Sequence, residues 1–141
     1  MKQSPTLFPL ARPRAKSEFW ITPKPLYESL NDEFAFDFDP CPYPRPPGYN
    51  SLDKPWGKMN YVNPPFRKAD GPFGGPTAFA RKAIEEKDKG NRSVLLLPVQ
   101  SYVNLLLDAG ARVRPLGRVK WLNGVSGQEV KDPSTVCIFV L

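Results

Sequence analysis

Apolar positions change their spacing several times along the chain, and each change predicts an element. Leu26, Tyr27 and Leu30 recur at helical intervals behind Thr22 and Pro23. A helix is expected there, with Thr22 as N-cap and Pro23 at its first position. In "FAFDFD", residues 34–39, Phe34, Phe36 and Phe38 alternate with Ala35 and Asp37, the pattern of a strand ending at Asp39. "MNYVN", residues 59–63, predicts a second strand ending at Asn63. From Thr77 as cap to about Lys89 a helix turns Phe79, Ala80, Ala83 and Ile84 inward, with Gly90 as terminator. "SVLLLPV", residues 93–99, is unbroken and suits a strand buried on both faces. A short helix from Ser101 to Ala109, closed by Gly110, precedes three more strand candidates, "ARVR", "RVKWL" and "STVCIFVL".

Strands alternating with helices predict an α/β fold with a mostly parallel sheet and an antiparallel end. The strands at 34–39 and 59–63 are neighbours only through a crossover of roughly a dozen residues or more. Residues 40–58 are long enough, and their prolines bar a helix. The 141 residues fit one domain. Within it, residues 1–17 carry Lys2, Arg12, Arg14 and Lys16 among prolines and are read as a mobile arm, leaving 18–141 as the domain proper. "RKADGPFGGP", residues 67–76, is a Gly-rich loop. If the strand at 34–39 is a sheet edge, it invites pairing, so a homodimer or coverage by the proline-rich segment or the arm is expected.

Composition narrows the chemistry. The formal charge is +6, which fits a polyanionic partner, nucleic acid first, or plain solubility. No apolar run is long enough for a membrane span, and the N-terminus lacks a signal-peptide pattern, so an intracellular, cytoplasmic setting is expected. There, Cys41 and Cys137 are expected as free thiols. With no histidine and no CxxC, a zinc or iron site is not expected. Ser-His-Asp and Cys-His nucleophile systems are excluded because the base is missing.

Asp39 and Asn63 each close a predicted strand, and ligands of open parallel sheets sit outside the carboxyl ends of the strands. "NPPF", residues 63–66, reads either as a stiff proline turn or as a binding corner. In the second reading neither proline offers an N–H, so the carbonyls of Asn63 and Pro64 are free to accept, and the Asn63 side chain adds another acceptor. Phe66 supplies a flat apolar face. Such a corner suits a planar amide or aminated base. Hydrogen bonds from the amino group to Asn63 and Pro64 free its lone pair for methyl transfer, which needs no histidine-type base.

The tetrad resembles the catalytic motif of amino-group methyltransferases that use S-adenosylmethionine. The wider pattern is similar to the small, often phage-encoded DNA N-6-adenine-methyltransferase family. The matching pieces are "FWITPKPLYESL" at 19–30, "FAFDFDPCP" at 34–42, "SLDKPWGKMNYVNPPF" at 51–66 and "SVLLLPV" at 93–99. The resemblance implies a reduced Rossmann-like methyltransferase fold and methylation of adenine N6 in DNA, without a metal. It implies that Trp20, Thr22 and Pro23 touch the cofactor's methionine end. Asp39, with Pro40 and Cys41 beside it, would bind the ammonium group. Asn63, Pro64, Pro65 and Phe66 would hold a flipped adenine.

Arg67 and Lys68, and Arg118 and Lys120 in "RVRPLGRVK", are candidates for nucleic-acid contact or ordinary exposed charge. Trp56 and Trp121 are read as packing residues. Larger adenine methyltransferases place a glycine-rich loop after the Asp-Pro, where this chain has "CPYPRPPGY", and carry two further strand–helix units. That leaves Asp53 as the candidate partner for the cofactor's ribose. RNA adenine methylation, protein glutamine-amide methylation and a catalytically silent nucleic-acid-binding module stand as alternatives.

Overall fold

A computed structural model describes residues 20–66, 75–130 and 135–141. The arm at 1–17 and the Gly-rich stretch 67–74, with Arg67 and Lys68, lie outside the described residues. The elements run in the order β1 (Trp20–Ile21), α1 (Lys24–Phe34), a 3-10 turn (Ser51–Asp53), β2 (Met59–Val62), α2 (Pro76–Asp88), β3 (Arg92–Pro98), α3 (Tyr102–Asp108), β4 (Arg112–Pro115), β5 (Leu122–Asn123) and β6 (Val136–Val140). The fold is mixed α/β.

The main sheet has the order β2-β3-β6-β4. β2 and β3 run parallel, with Tyr61 opposite Val94, and β6 is antiparallel to both β3 and β4. The antiparallel member therefore lies inside the sheet rather than at its end. A separate two-stranded ribbon pairs β1 with β5, Trp20 opposite Asn123.

The alternation of β3 divides the core. Leu95 and Leu97 face α2 and α3, where Val62, Ala80, Ala83, Leu106 and Phe139 join them. Val94 and Leu96 face the other side, against Leu30 of α1, Trp121 and Ile138, with Trp20 and Tyr27 packed alongside. Leu95, Leu96 and Leu97 are wholly buried. Each contributes roughly 1.5–3 kcal/mol, so an unbroken apolar run is what a doubly covered strand requires. Trp56 and Trp121 are buried packing residues, as the sequence implied.

Three local expectations change. The "FAFDFD" stretch is not a full strand. α1 continues to Phe34, and Ala35 in the left-handed region (φ 56) closes it, its N–H donating to Asn31 O at 2.8 Å. Asn31 Oδ1 then accepts from Phe36 N at 2.9 Å. What remains is one parallel bridge, Phe38 to Asn60, with Tyr61 N donating to Phe38 O at 2.9 Å. The Asp37 carboxylate accepts from the amides of Lys58 and Met59 at 3.2 and 3.0 Å, and this side-chain pairing takes the place of a longer ladder. Pro40, with no N–H, donates nothing further. The two segments are parallel neighbours, as expected, through this single bridge.

Neither threonine caps its helix. Pro23 and Gly75 occupy the N-cap positions of α1 and α2, with no side-chain cap bond. In "RVKWL" only Leu122 enters a strand, because its partner is the two-residue β1. Residues 40–58 fold back beside the first segment, where Ser51 Oγ donates to Pro40 O at 2.7 Å and Trp56 Nε1 to Ser51 O at 2.9 Å. The proline-rich segment is thus pinned at the carboxyl end of the Phe38 bridge.

Candidate functional site

The carboxyl end of β2 gathers the residues of interest. Period-two alternation turns Tyr61 and Asn63 to the same side, toward α1 and β1. The Tyr61 ring is held edge-on by Tyr27 of α1 (centroids 4.8 Å, 88°) and by Phe36 (5.2 Å, 61°). Its hydroxyl shares a hydrogen bond with the Thr22 hydroxyl. Burial pushes the Tyr61 phenol well above its ordinary range, so it stays protonated.

Asn63 is 5% exposed. Its Nδ2 donates to Trp20 O at 3.0 Å and approaches Thr22 Oγ1 at 3.5 Å. A backbone carbonyl only accepts, so the atom facing Trp20 O must be the NH2 group, and the orientation of the carboxamide follows from chemistry. The other end is different. Asn63 Oδ1 is buried and has no hydrogen-bond partner among the described residues. Leaving such an acceptor unmet costs roughly 1–3 kcal/mol.

Phe66 stands beside this corner, half-buried. Trp20 lies 5.1 Å away at 82° and Trp121 6.2 Å away at 85°. The β1–β5 pairing fixes the backbone of Trp20, so one residue presents both an indole to Phe66 and a carbonyl to Asn63. Pro64 is fully buried and Pro65 is buried.

Asp39 follows the Phe38 bridge. Its Oδ1 accepts from Cys41 N at 2.8 Å, a tight side-chain turn. The residue keeps an exposed surface, yet protein surrounds the carboxylate on most sides. That loss of hydration raises its pKa to about 6, against the opposing pull of the Cys41 amide. The same burial, with the Asp39 charge nearby, pushes the Cys41 thiol far above its usual range, so it is not a reactive thiolate. Cys41 and Cys137 are free.

Trp20, Thr22, Asn63 and Phe66 are thus in direct contact. Pro23 follows Thr22 at the start of α1. Asp39, Pro40 and Cys41 form the adjacent turn, close enough that the Asp39 charge acts on Tyr61. Asp53 is exposed on the 3-10 turn and pairs with Lys54 at 3.2 Å. Arg118 and Lys120 are exposed beyond β4, outside any strand. Tyr61 was not among the sequence candidates. Counting back two from Asn63 along a strand would have found it.

Among the described residues, no group of three or more His, Cys, Asp or Glu side chains is placed to hold a metal ion. None of their helices is long and apolar enough to cross a membrane. Set against protein-family models, curated proteins and solved structures, the chain matches none of them.

Proposed function

We propose that the Asn63 corner binds the amino group of a planar base, and that the protein transfers a methyl group from S-adenosylmethionine to N6 of adenine in DNA. One observation carries the reading. The NH2 end of the Asn63 carboxamide is clamped by Trp20 O, while its Oδ1 is buried and unpaired among the described residues. A polar atom held still and left unmet inside a protein is an acceptor waiting for a donor.

In this reading an amino N–H of the flipped base donates to Asn63 Oδ1 and its second N–H donates to the Pro64 carbonyl. These bonds draw the nitrogen toward a tetrahedral shape and release its lone pair. Phe66, braced by two indoles, offers the base an apolar contact. S-adenosylmethionine supplies the electrophilic methyl group. Asp39, ionised at neutral pH, suits its ammonium, and Thr22 and Trp20 lie across the corner from that turn. The nitrogen loses a proton after the methyl arrives, and solvent takes it, so the absence of histidine is no obstacle. The +6 charge supports nucleic acid over a protein amide as substrate. The sheet, with strands parallel at the carboxyl end of β2 and an inserted antiparallel β6, is compatible with a reduced Rossmann-like methyltransferase, working in the cytoplasm.

The test is incubation with methyl-labelled cofactor and unmethylated DNA, followed by nucleoside analysis. Label in N6-methyl-2′-deoxyadenosine is expected. Label in RNA or in glutamine would redirect the reading to those substrates. Calorimetry showing no cofactor binding at millimolar concentration with DNA present would leave a silent nucleic-acid-binding module.

A further inference from the structure

Thr22 Oγ1 is the shared neighbour of Tyr61 and Asn63, and its proton count is informative. A hydroxyl has one proton and two lone pairs. Asn63 Nδ2 can only donate, so it takes one lone pair. The Tyr61 phenol is the more acidic of the two hydroxyls, and burial keeps it protonated, so it is the natural donor to the second. Both lone pairs of Thr22 are then filled by groups behind it, and its own proton is left to point elsewhere. The Tyr61 ring is fixed by Tyr27 and Phe36, which fixes the whole chain of bonds.

We propose that Tyr61 is a positioning residue for Asn63. Acting through Thr22, its hydroxyl holds the Asn63 carboxamide with the NH2 on Trp20 O and Oδ1 turned away from it as an acceptor, and it turns the Thr22 hydroxyl into a donor toward a bound ligand. The inference rests on the reading of Asn63 as the amine-binding residue. Tyr61 is otherwise a well-packed core tyrosine, but a packing role resides in its ring and not in its oxygen.

Tyr61→Phe separates the two, since the ring contacts survive and only the hydroxyl is lost. The expected result is a fall in kcat of roughly 10- to 100-fold, the scale of a misplaced catalytic group, with the cofactor KM moved far less. Thr22→Val cuts the same chain and also removes the donor to the ligand, so its loss should be at least as large. Thr22→Ser should recover most of the loss. The double variant Tyr61→Phe/Thr22→Val should be no worse than Thr22→Val alone, because both changes cut one chain of bonds.

A second readout needs no activity. In the unliganded protein, the side-chain NH2 protons of Asn63, followed by NMR, should exchange slowly in the wild type and measurably faster in Tyr61→Phe. Unchanged exchange together with unchanged kcat would overturn the proposal. If wild-type protein never labels nucleic acid, the methyl-transfer reading fails by itself, and the exchange measurement still decides whether Tyr61 orders Asn63.

Discussion

Two buried asparagines lie three residues apart at opposite ends of β2, on opposite faces. Asn60, wholly buried, has every polar atom of its side chain engaged. Its Oδ1 accepts from Gly57 N at 2.8 Å, and its Nδ2 donates to Arg92 O at 2.8 Å and Gly57 O at 3.1 Å. It ties the turn before β2 to the start of β3. Asn63 is almost as buried, but half of its carboxamide is unmet among the described residues. The same side chain on the same strand is saturated at one end of the sheet and open at the other. A structural asparagine spends all its bonds on the protein. One that keeps an acceptor back weakens the fold for no structural gain, and such local costs concentrate at functional sites.

The largest expected effect falls on activity at the open asparagine. Asn63→Ala removes the acceptor, and DNA labelling should drop by roughly 10²–10³-fold or more, as for the loss of one preorganised hydrogen-bonding group. Stability should change by no more than about 1 kcal/mol, because the substitution also deletes an unmet buried oxygen. Chemical denaturation beside the labelling assay checks both. Asn63→Asp is a sharper probe. It keeps Oδ1 but sets a second carboxyl oxygen against Trp20 O, where a donor is required. The variant should therefore be destabilised at neutral pH and recover as the pH falls and the carboxyl takes a proton.

The reverse pattern is expected at Asn60. Asn60→Ala takes the side-chain partner from the part-buried Gly57 N–H and one bond each from the Gly57 and Arg92 carbonyls, and roughly 2–4 kcal/mol of stability should go. Activity per folded molecule should hold. If Asn60→Ala and Asn63→Ala gave the same pairing of stability and activity changes, the contrast between the two ends of β2 would be wrong.

A smaller effect should appear as a pH dependence of cofactor binding. Asp39 has its pKa raised from 3.8 to about 6 by loss of hydration. Only the ionised form can pair with an ammonium, so affinity should be full above about pH 6 and fall below it, about tenfold per unit. A cation at Asp39 favours the charged form and lowers that pKa, so binding near pH 6 should release a proton. Titration calorimetry in two buffers of different ionisation heat measures the release directly. Asp39→Asn should abolish both effects, and a flat profile in the wild type would remove Asp39 from the cofactor site.

How far the sequence carried this picture depended on where each residue spends its bonds. The helices at Pro76–Asp88 and Tyr102–Asp108 and the strand Arg92–Pro98 were legible because burial imposes a periodicity. The Asn63 corner was legible because two prolines in succession leave few other conformations. "FAFDFD" misled because its phenylalanines do not share a face. Phe34, the last residue of α1, and Phe36 lie on the α1 side of the sheet, whereas Phe38 packs on the opposite side. Thr22 has a good local pattern for a cap, but its hydroxyl goes to Tyr61, 39 residues away, and no local pattern encodes that. The position of β6 between β3 and β4 is likewise a matter of strand order, which periodicity does not carry.

The smallest effect belongs to the far end of the sheet. A groove of about 400 Å³ opens there, lined by Glu33, Phe34, Arg92, Arg112, Val113, Arg114 and Val140. Arg114 donates to Glu33 Oε2 at 2.8 Å, and its guanidinium stands 5.6 Å from the centre of the Phe34 ring. Both partners of the ion pair are about half exposed, so water screens it, and Arg114→Gln should cost no more than about 1 kcal/mol. Arg92 and Met59 are register partners at the amino ends of β3 and β2, whereas Asn63 lies past the carboxyl end of β2. A base held at Asn63 therefore has no reason to feel the charge of this groove. Labelling by Arg114→Gln should match the wild type, and its salt dependence should be unaltered. A loss of labelling that grows with salt would mean that nucleic acid reaches around the molecule to this end, and the division between a working end and a structural end of the sheet would no longer hold.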